Sequence, residues 1–411
     1  MPPAPGRRRT HHPIPHVALI IETSLAYGRA VLRGIARWVR ENQPWSVFME
    51  QRSLYDPAPR WLDSWKGDGI ISRASSRQMA SRIAALGIPT VDLNEEVTGL
   101  GLPTVANDHL AIGAMAAEHL LDRGFRHFGF VGYAGIDWSG RRAAGFAQAV
   151  RARGWGCQEH LKPVGPGGRR GDWEREMAAL ARWVRELPRP VGVMACNDFR
   201  AVELLDACRR AGVAVPEDVA VVGVDNEDIA CELAHPPLSS VVPDGERVGH
   251  EAAKLLAGMM RGETPATREL TVRPLGLAVR QSSDVAAIAD PALAAALHHI
   301  RRHACEGATV EDVQAASGLS RSVLQRRFRA VLGRGVHGYL IAARLERVKR
   351  LLRETALTLP VIAQRTGFRH SEYLSTVFKR ETGETVTRYR QRHRRSAPTF
   401  AGEFVAAREK V

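Results

Sequence analysis

Three apolar runs in this chain end in acid or amide side chains: VAN leads into Asp108, AC into Asn197 and Asp198, and VVGV into Asp225 and Asn226. Carboxylates and amides exchange hydrogen bonds with hydroxyls, and the carboxyl ends of parallel strands are where α/β sheets hold ligands. Arg141 and Arg142 open a further helical segment and bring a cation that can grip from the other side. Trp138, four residues before Arg142, has a ring able to lie on the apolar face of a sugar. Each feature has a plainer explanation. Asp and Asn cap helix starts by accepting from free amides, and Trp138 fits a partly buried loop. Taken together, three such strand ends and the arginine pair favour one polar cleft for a neutral, hydroxyl-rich ligand.

A second chemistry fills the last hundred residues. Leu324, Phe328, Gly333 and Tyr339 recur 50 residues later as Leu374, Phe378, Gly383 and Tyr389. Upstream, Thr309, Val310, Val313 and Gly318 answer Thr358, Leu359, Ile362 and Gly367 at a spacing of 49. This is one helical unit built twice, with one residue gained in the second copy. In the first copy Thr309 caps a helix with Val310 and Val313 inward, Gly318 turns the chain, and Ser320 caps a second helix. Leu324, Phe328 and Val331 are that helix's expected buried stripe. Arg321, Ser322, Gln325 and Arg326 then face elsewhere. Arg and Gln can bond guanine and adenine edges in pairs, whereas Arg327 and Arg329 suit phosphates. The second copy offers Ser371, Glu372, Tyr373, Ser375 and Thr376, of which Glu372 can accept from a cytosine amino group. Between the copies, Leu340 to Arg353 reads as a connecting helix with Leu345, Val348 and Leu352 inward. It would hold the reading helices roughly one DNA turn (~34 Å) apart. Residues 291–395 carry 21 Lys+Arg against 8 Asp+Glu, a net of +13 in a chain of +14. A cation field confined to one small domain points to a polyanion.

A chain of 411 residues exceeds one core, and its 45% hydrophobic and 25% charged content is ordinary for globular protein. Strands are expected at 17–21, 45–50, 69–72, 89–93, 103–106, 127–132, 191–196, 219–224 and 238–242. Val/Ile-rich strands with helical crossovers imply parallel sheets, and nine strands imply two lobes rather than one. Five scattered cysteines without a Cys-x-x-Cys pair suit a reducing cytoplasm. No run approaches the ~20 apolar residues of a membrane helix, and the basic opening lacks a signal-peptide core. Residues 1–15 are expected to be a disordered basic tail, 284–291 an Ala-rich linker, and 396–411 a second tail. His298, His299 and His303 have metal-like spacing without an obvious acidic or Cys partner, so no metal is expected. GPGGRRG (165–171) lacks the Lys-Ser/Thr ending of a phosphate cradle and reads as a surface loop. Cys196, at a strand-to-helix bend, carries the alternative of a cysteine-dependent hydrolase or transferase tethered to a DNA reader. The acidic neighbour Asp198 makes a small buried thiol the better reading.

The stretch RLERVKRLLRETALTLPVIAQRTGFRHSEYLSTVFKRETGETVTRYR resembles the AraC/XylS family signature, over nearly all of 292–395. Val348, Leu374 and Val386 depart from the family's usual Ala, Phe and Pro. Upstream, GDGIIS, VANDHLAIGAMAAEHLLDRGFRHFGFVG, RRAAGF, VMACND and VAVVGVDNED resemble the LacI/GalR-type periplasmic-binding-protein fold. The order of the two is similar to xylose-responsive AraC-type regulators, as are AYGR (26–29) and ALHHIRRHACEG (296–307). The resemblance implies an α/β two-lobed periplasmic-binding-protein-like domain at 16–283. An all-α domain with two helix-turn-helix units would follow at 292–395. It implies a non-enzymatic, cytoplasmic, homodimeric activator of xylose-use genes that binds double-stranded DNA, D-xylose and RNA polymerase, without cofactor. It also implies sugar contacts at Asp108, Trp138, Arg142, Asn197, Asp198, Asp225 and Asn226, with Glu22 and Tyr27 added.

Overall fold

Alternating apolar runs and amphipathic segments build two sheets, one per lobe. The computed structural model describes residues 14–54, 56–73, 76–93, 101–163, 173–285 and 290–393, and the chain divides into units 1–287 and 288–411. The expected N-terminal tail, the 165–171 loop, the middle of the 284–291 linker and the C-terminal tail lie outside the described residues.

The first lobe takes β1 (His16–Ile20), α1 (Ala26–Glu41), β2 (Ser46–Met49), β3 (Gly69–Ser72), α2 (Arg77–Ala85), β4 (Thr90–Asp92) and β5 (Thr104–Asn107). The chain then crosses into the second lobe with α3 (His109–Asp122), β6 (His127–Ala134), α4 (Asp137–Ala152), β7 (Cys157–Pro163) and α5 (Trp173–Glu186). That lobe continues through β8 (Val191–Ala195), α6 (Asp198–Ala211), β9 (Val219–Val224), α7 (Asp228–Leu233) and β10 (Ser239–Val242). Next, α8 (Gly245–Met260) and β11 (Glu269–Val272) return to the first lobe, and β12 (Gly276–Ala278) to the second. The strand orders are β11-β5-β4-β3-β1-β2 and β12-β10-β9-β8-β6-β7, and every described pairing is parallel except β10 with β12. All nine expected strands form. Three others escape the sequence pattern, and each is an edge: β7 alternates exposed and half-buried, β11 is mostly exposed, and β12 spans three residues.

Each lobe packs one pair of helices almost backbone to backbone. A Cβ on Gly34 of α1 would lie 1.9 Å from Glu246 O of α8, and one on Gly249 of α8 would lie 2.0 Å from Val31 O. In the second lobe, Gly113 of α3 meets Arg142 O at 2.2 Å, and Gly145 of α4 meets Leu110 O at 2.2 Å. The far end of α3 holds the unit's last described residues. Arg123 Nε donates to Ser283 O at 2.8 Å, and His119 Nε2 lies 2.8 Å from Ser283 Oγ. Burial, with Arg123 alongside, pushes the His119 imidazole down to about 4.

The second unit is helical: α9 (Pro291–His303), α10 (Val310–Ser317), α11 (Arg321–Leu332), α12 (Val336–Glu354), α13 (Leu359–Arg365), α14 (Ser371–Thr382) and α15 (Val386–His393). Leu324 and Phe328 join a core with Val313 and Leu340, while Leu374 and Phe378 join another with Leu345, Val348 and Leu352. Helix α12 thus serves both cores. Thr309 and Asp312 form a reciprocal capping box at α10, and Gly318 closes that helix in the left-handed region at φ 67°. The gained residue sits in the second turn. Gly318 precedes α11 by three positions, whereas Gly367 precedes α14 by four.

Two expectations fail here. Val331 is 52% exposed, because α11 ends one residue later and Leu332, four after Phe328, takes the inward position. Ser320 occupies the N-cap position of α11, yet its hydroxyl lies beside Ser322 Oγ at 3.4 Å and caps nothing.

The helix pairs generate a prediction. Gly145→Val forces α3 and α4 apart and should destabilise the first unit by about 3 kcal/mol, read as a lowered melting temperature.

Candidate ligand cleft and nucleic-acid interface

The carboxyl ends of both parallel sheets carry polar clusters, and residues 107–109 join them. In the first lobe Glu22, two residues past β1, is 2% exposed and ion-paired to Arg73, just after β3. Its Oε2 is buried and accepts from no described residue. Arg73 also lies 4.8 Å over the Tyr27 ring, and Asn107 Nδ2 donates to the Tyr27 hydroxyl at 2.9 Å. Asp108 caps α3 by accepting from Ala111 N at 2.9 Å, so the plainer reading of this residue is realised.

In the second lobe the cluster centres on Arg142, which is 4% exposed. Its Nη1 donates to Cys196 O at 2.5 Å, its Nη2 to Asp225 Oδ1 at 3.2 Å and its Nε to His109 Nδ1 at 3.2 Å. The guanidinium lies 5.0 Å from the Trp138 ring, which meets Tyr133 edge-on at 6.1 Å. Helix α4 begins at Asp137, so Arg142 sits in its second turn rather than at its opening. His109 and Tyr133 belong to this cluster and were missed in the sequence. A histidine directly after a cap and a tyrosine at a strand end carry no distinctive pattern.

Asp225 and Asn226 adopt φ of 99° and 48°, a left-handed pair costly for side chains that have a Cβ. Several bonds hold the turn: Asp225 N to Val241 O at 3.1 Å, Asn226 N to Ser240 Oγ at 3.0 Å, and Arg280 Nη2 to Asn226 Oδ1 at 2.9 Å. Asp198 lies beneath it, accepting from Ser240 Oγ and Glu227 N, each at 2.7 Å. Burial first, and then the nearby Asp225 charge, push the Asp198 carboxyl up to about 7. Asn197 caps α6 by accepting from Arg200 N at 2.8 Å. The structure therefore gathers Trp138, Arg142 and Asp225 into one contact group and Tyr27 and Glu22 into another. Asn197, Asp198 and Asn226 brace the loops beside them. Cys196 is fully buried and its thiol is pushed up to about 12 by that burial, so it has neither the exposure nor the acidity of a nucleophile.

On the helical unit, Arg321, Ser322 and Arg326 are exposed on α11, with Arg321 3.4 Å from Glu311. Gln325 is half-buried beside Gly335. Arg327, expected at phosphates, pairs with Asp290 at 2.7 Å. On α14, Glu372, Tyr373 and Thr376 are exposed. Ser371 Oγ donates to Glu372 Oε1 at 3.0 Å, and the Ser375 and Thr376 hydroxyls donate back to Ser371 O and Glu372 O. The two copies are tied together by Arg344 of α12, which donates to Ala304 O and Ala308 O at 2.8 Å and lies 5.8 Å over the Phe368 ring. Next to it a Cβ on Gly367 would meet Ala304 O at 2.6 Å. Among the described residues no group of three or more His, Cys, Asp or Glu could hold a metal, and no helix is long and apolar enough to cross a membrane.

Asp198 gives a pH prediction. Between the ordinary aspartate value and about 7, the folded protein keeps a proton that the unfolded chain releases. The contribution is present at low pH and lost as pH rises through about 7. The melting-temperature difference between wild type and Asp198→Asn should therefore change across pH 4–7 and level off above it.

Comparison with known proteins gives three domain matches: the XylR N-terminal domain over residues 16–98, a periplasmic binding protein-like domain over 117–283, and a helix-turn-helix domain over 313–392. The xylose operon regulatory protein of Escherichia coli strain K12 is 31% identical over 91% of this chain and 96% of its own. That of Haemophilus influenzae is 28% identical over 91% and 97%. The solved structure of the xylose-binding transcription activator XylR superposes with a TM-score of 0.79 at 29% identity, covering 93% of this chain and 99% of that one. With two α/β lobes followed by a twice-built basic helical reader, the chain belongs to the xylose operon regulator family of sugar-responsive, DNA-binding transcription regulators.

Proposed function

We propose that this regulator binds a pentose, D-xylose first, between its two lobes and then activates xylose-utilisation genes. The observation that carries the reading is a continuous polar path across both lobes. It runs from Tyr27 through residues 107–109 to Arg142 and Asp225, with a buried Glu22 oxygen beside it that accepts from no described residue. Arg142 and Asp225 offer a donor and an acceptor to sugar hydroxyls, and Trp138 offers a ring face. Asp108, Asn197, Asp198 and Asn226 complete the rim, with Glu22 and Tyr27 from the opposite lobe. Moving a two-state clamp decisively needs ~5 kcal/mol of differential affinity, which several charge-assisted hydroxyl bonds can supply.

On the DNA side, Arg321, Ser322, Gln325 and Arg326 of the first unit, and Ser371, Glu372, Tyr373, Ser375 and Thr376 of the second, form the reading faces. The regulator acts in the cytoplasm as a homodimer on repeated sites and recruits RNA polymerase, with residues 284–291 linking sensor and reader.

Calorimetry of the full chain with D-xylose, ribose and arabinose tests the ligand. Heat with another sugar and none with xylose overturns the choice. Asp225→Ala should abolish sugar response while leaving the affinity of the sugar-free protein for DNA nearly intact. Arg326→Ala should cost roughly 1–3 kcal/mol on the specific site and relax preference at one base pair, measured by mobility shift on single-base operator variants.

A further inference from the structure

We propose that Glu227 is a positioning residue for the sugar, a latch that reaches from the second lobe to the first and holds the clamp closed. Glu227 Oε2 accepts from Ala26 N at 2.6 Å, and Oε1 accepts from Arg29 Nη2 at 3.3 Å. The carboxylate is mostly buried, with 12% of its side chain exposed.

Helix α1 needs this contact. Leu25 stands at its N-cap position without a side-chain bond, and its first turn holds no acidic residue. The free amides of a helix start carry partial positive charge and demand an acceptor. Here the acceptor lies 201 residues away, on the opposite lobe. Glu227 is itself the N-cap residue of α7, yet its carboxylate makes no bond to that helix.

The latch is mechanically joined to the proposed sugar site. Asp225 bonds Arg142, Glu227 follows two residues later, and the left-handed pair between lobe and latch is pinned by Ser240 and Arg280. The Glu227 amide is fixed to Asp198 at 2.7 Å. A ligand hydrogen-bonded to Asp225 therefore steadies the same turn that aims Glu227 across the cleft. Opening the clamp breaks both Glu227 bonds and uncaps α1. A capping carboxylate of this kind slows sugar escape, and it also slows entry to the extent that the sugar-free clamp is already closed, since entry occurs through the open form.

The proposal rests on the sugar reading, and the experiment separates the two. Stopped-flow D-xylose exchange and sugar-free small-angle scattering are measured on full-length wild type, Glu227→Ala, Glu227→Gln and Arg29→Ala. For Glu227→Ala, xylose dissociation should rise about 5–10-fold, and association, which uses the open form, should not fall. Glu227→Gln, which keeps an acceptor for Ala26 N, should recover part of the effect, and Arg29→Ala should show a smaller rise. Without sugar, Glu227→Ala should scatter as a more open particle than wild type. Wild-type dissociation rates in all three variants, or scattering indistinguishable from wild type, overturn the latch. If wild type binds no pentose, the sugar reading falls and the scattering comparison alone decides. If Glu227→Ala does not fold, the Gln and Arg29 variants decide by the same readings.

Discussion

A guanidinium taken out of water governs the sensor unit. Arg142 is almost fully buried, and a buried cation survives only where it is paired and hydrogen-bonded. Here the answers come from four directions: a strand-end carbonyl, a histidine at a helix start, a carboxylate on a strained turn, and an indole ring. Three of these are delivered by other elements, so the positions of β8, α3 and β9 are all referred to one side chain of α4, the helix that also supplies the indole. Removing any single partner leaves charge poorly compensated. This couples the geometry of the cleft to the stability of the lobe beneath it.

The reader solves a related problem by other means. Two small cores cannot each hold a helix pair rigidly, and α12 threads through both. Arg344 occupies carbonyls left by the segment after α9 and shelters Phe368 of the second copy, while Gly367 lets that copy's turn lie against the first copy's backbone. The extra residue in the second turn adjusts the entry into α14 without disturbing α13, whose start keeps the 49-residue offset.

Much of this was legible in the sequence, and the exceptions share a cause. Strands buried on both faces announce themselves by apolar runs such as VAVVGV, and the eight inner strands were found this way, while the exposed edge strand SVFM was marked by its own Val-Phe-Met run. Edge strands bury little, and CQEHLKP carries too few apolar residues to stand out. The acids at strand ends marked the cleft because few residue types suit that position. Their division of labour was not readable. Asp108 and Asn197 cap helices, Asp198 braces a turn, and only Asp225 reaches Arg142, since these outcomes depend on backbone direction rather than residue type. Glu227 and His109 were invisible because their partners, Ala26 and Arg142, are remote in sequence. In the reader, periodicity placed Leu324 and Phe328 correctly but chose Val331 in the last turn of α11, where Leu332 is the residue that turns inward.

The paired glycines at α1–α8 and α3–α4 have a mechanical consequence. With backbone seated on backbone, no cushion of pliable side chains lies between the helices to absorb shear. Each half must travel as a block. Whatever bending occurs between the two lobes is left to the three short passages where the chain changes sheets, at 107–109, 242–245 and 272–276.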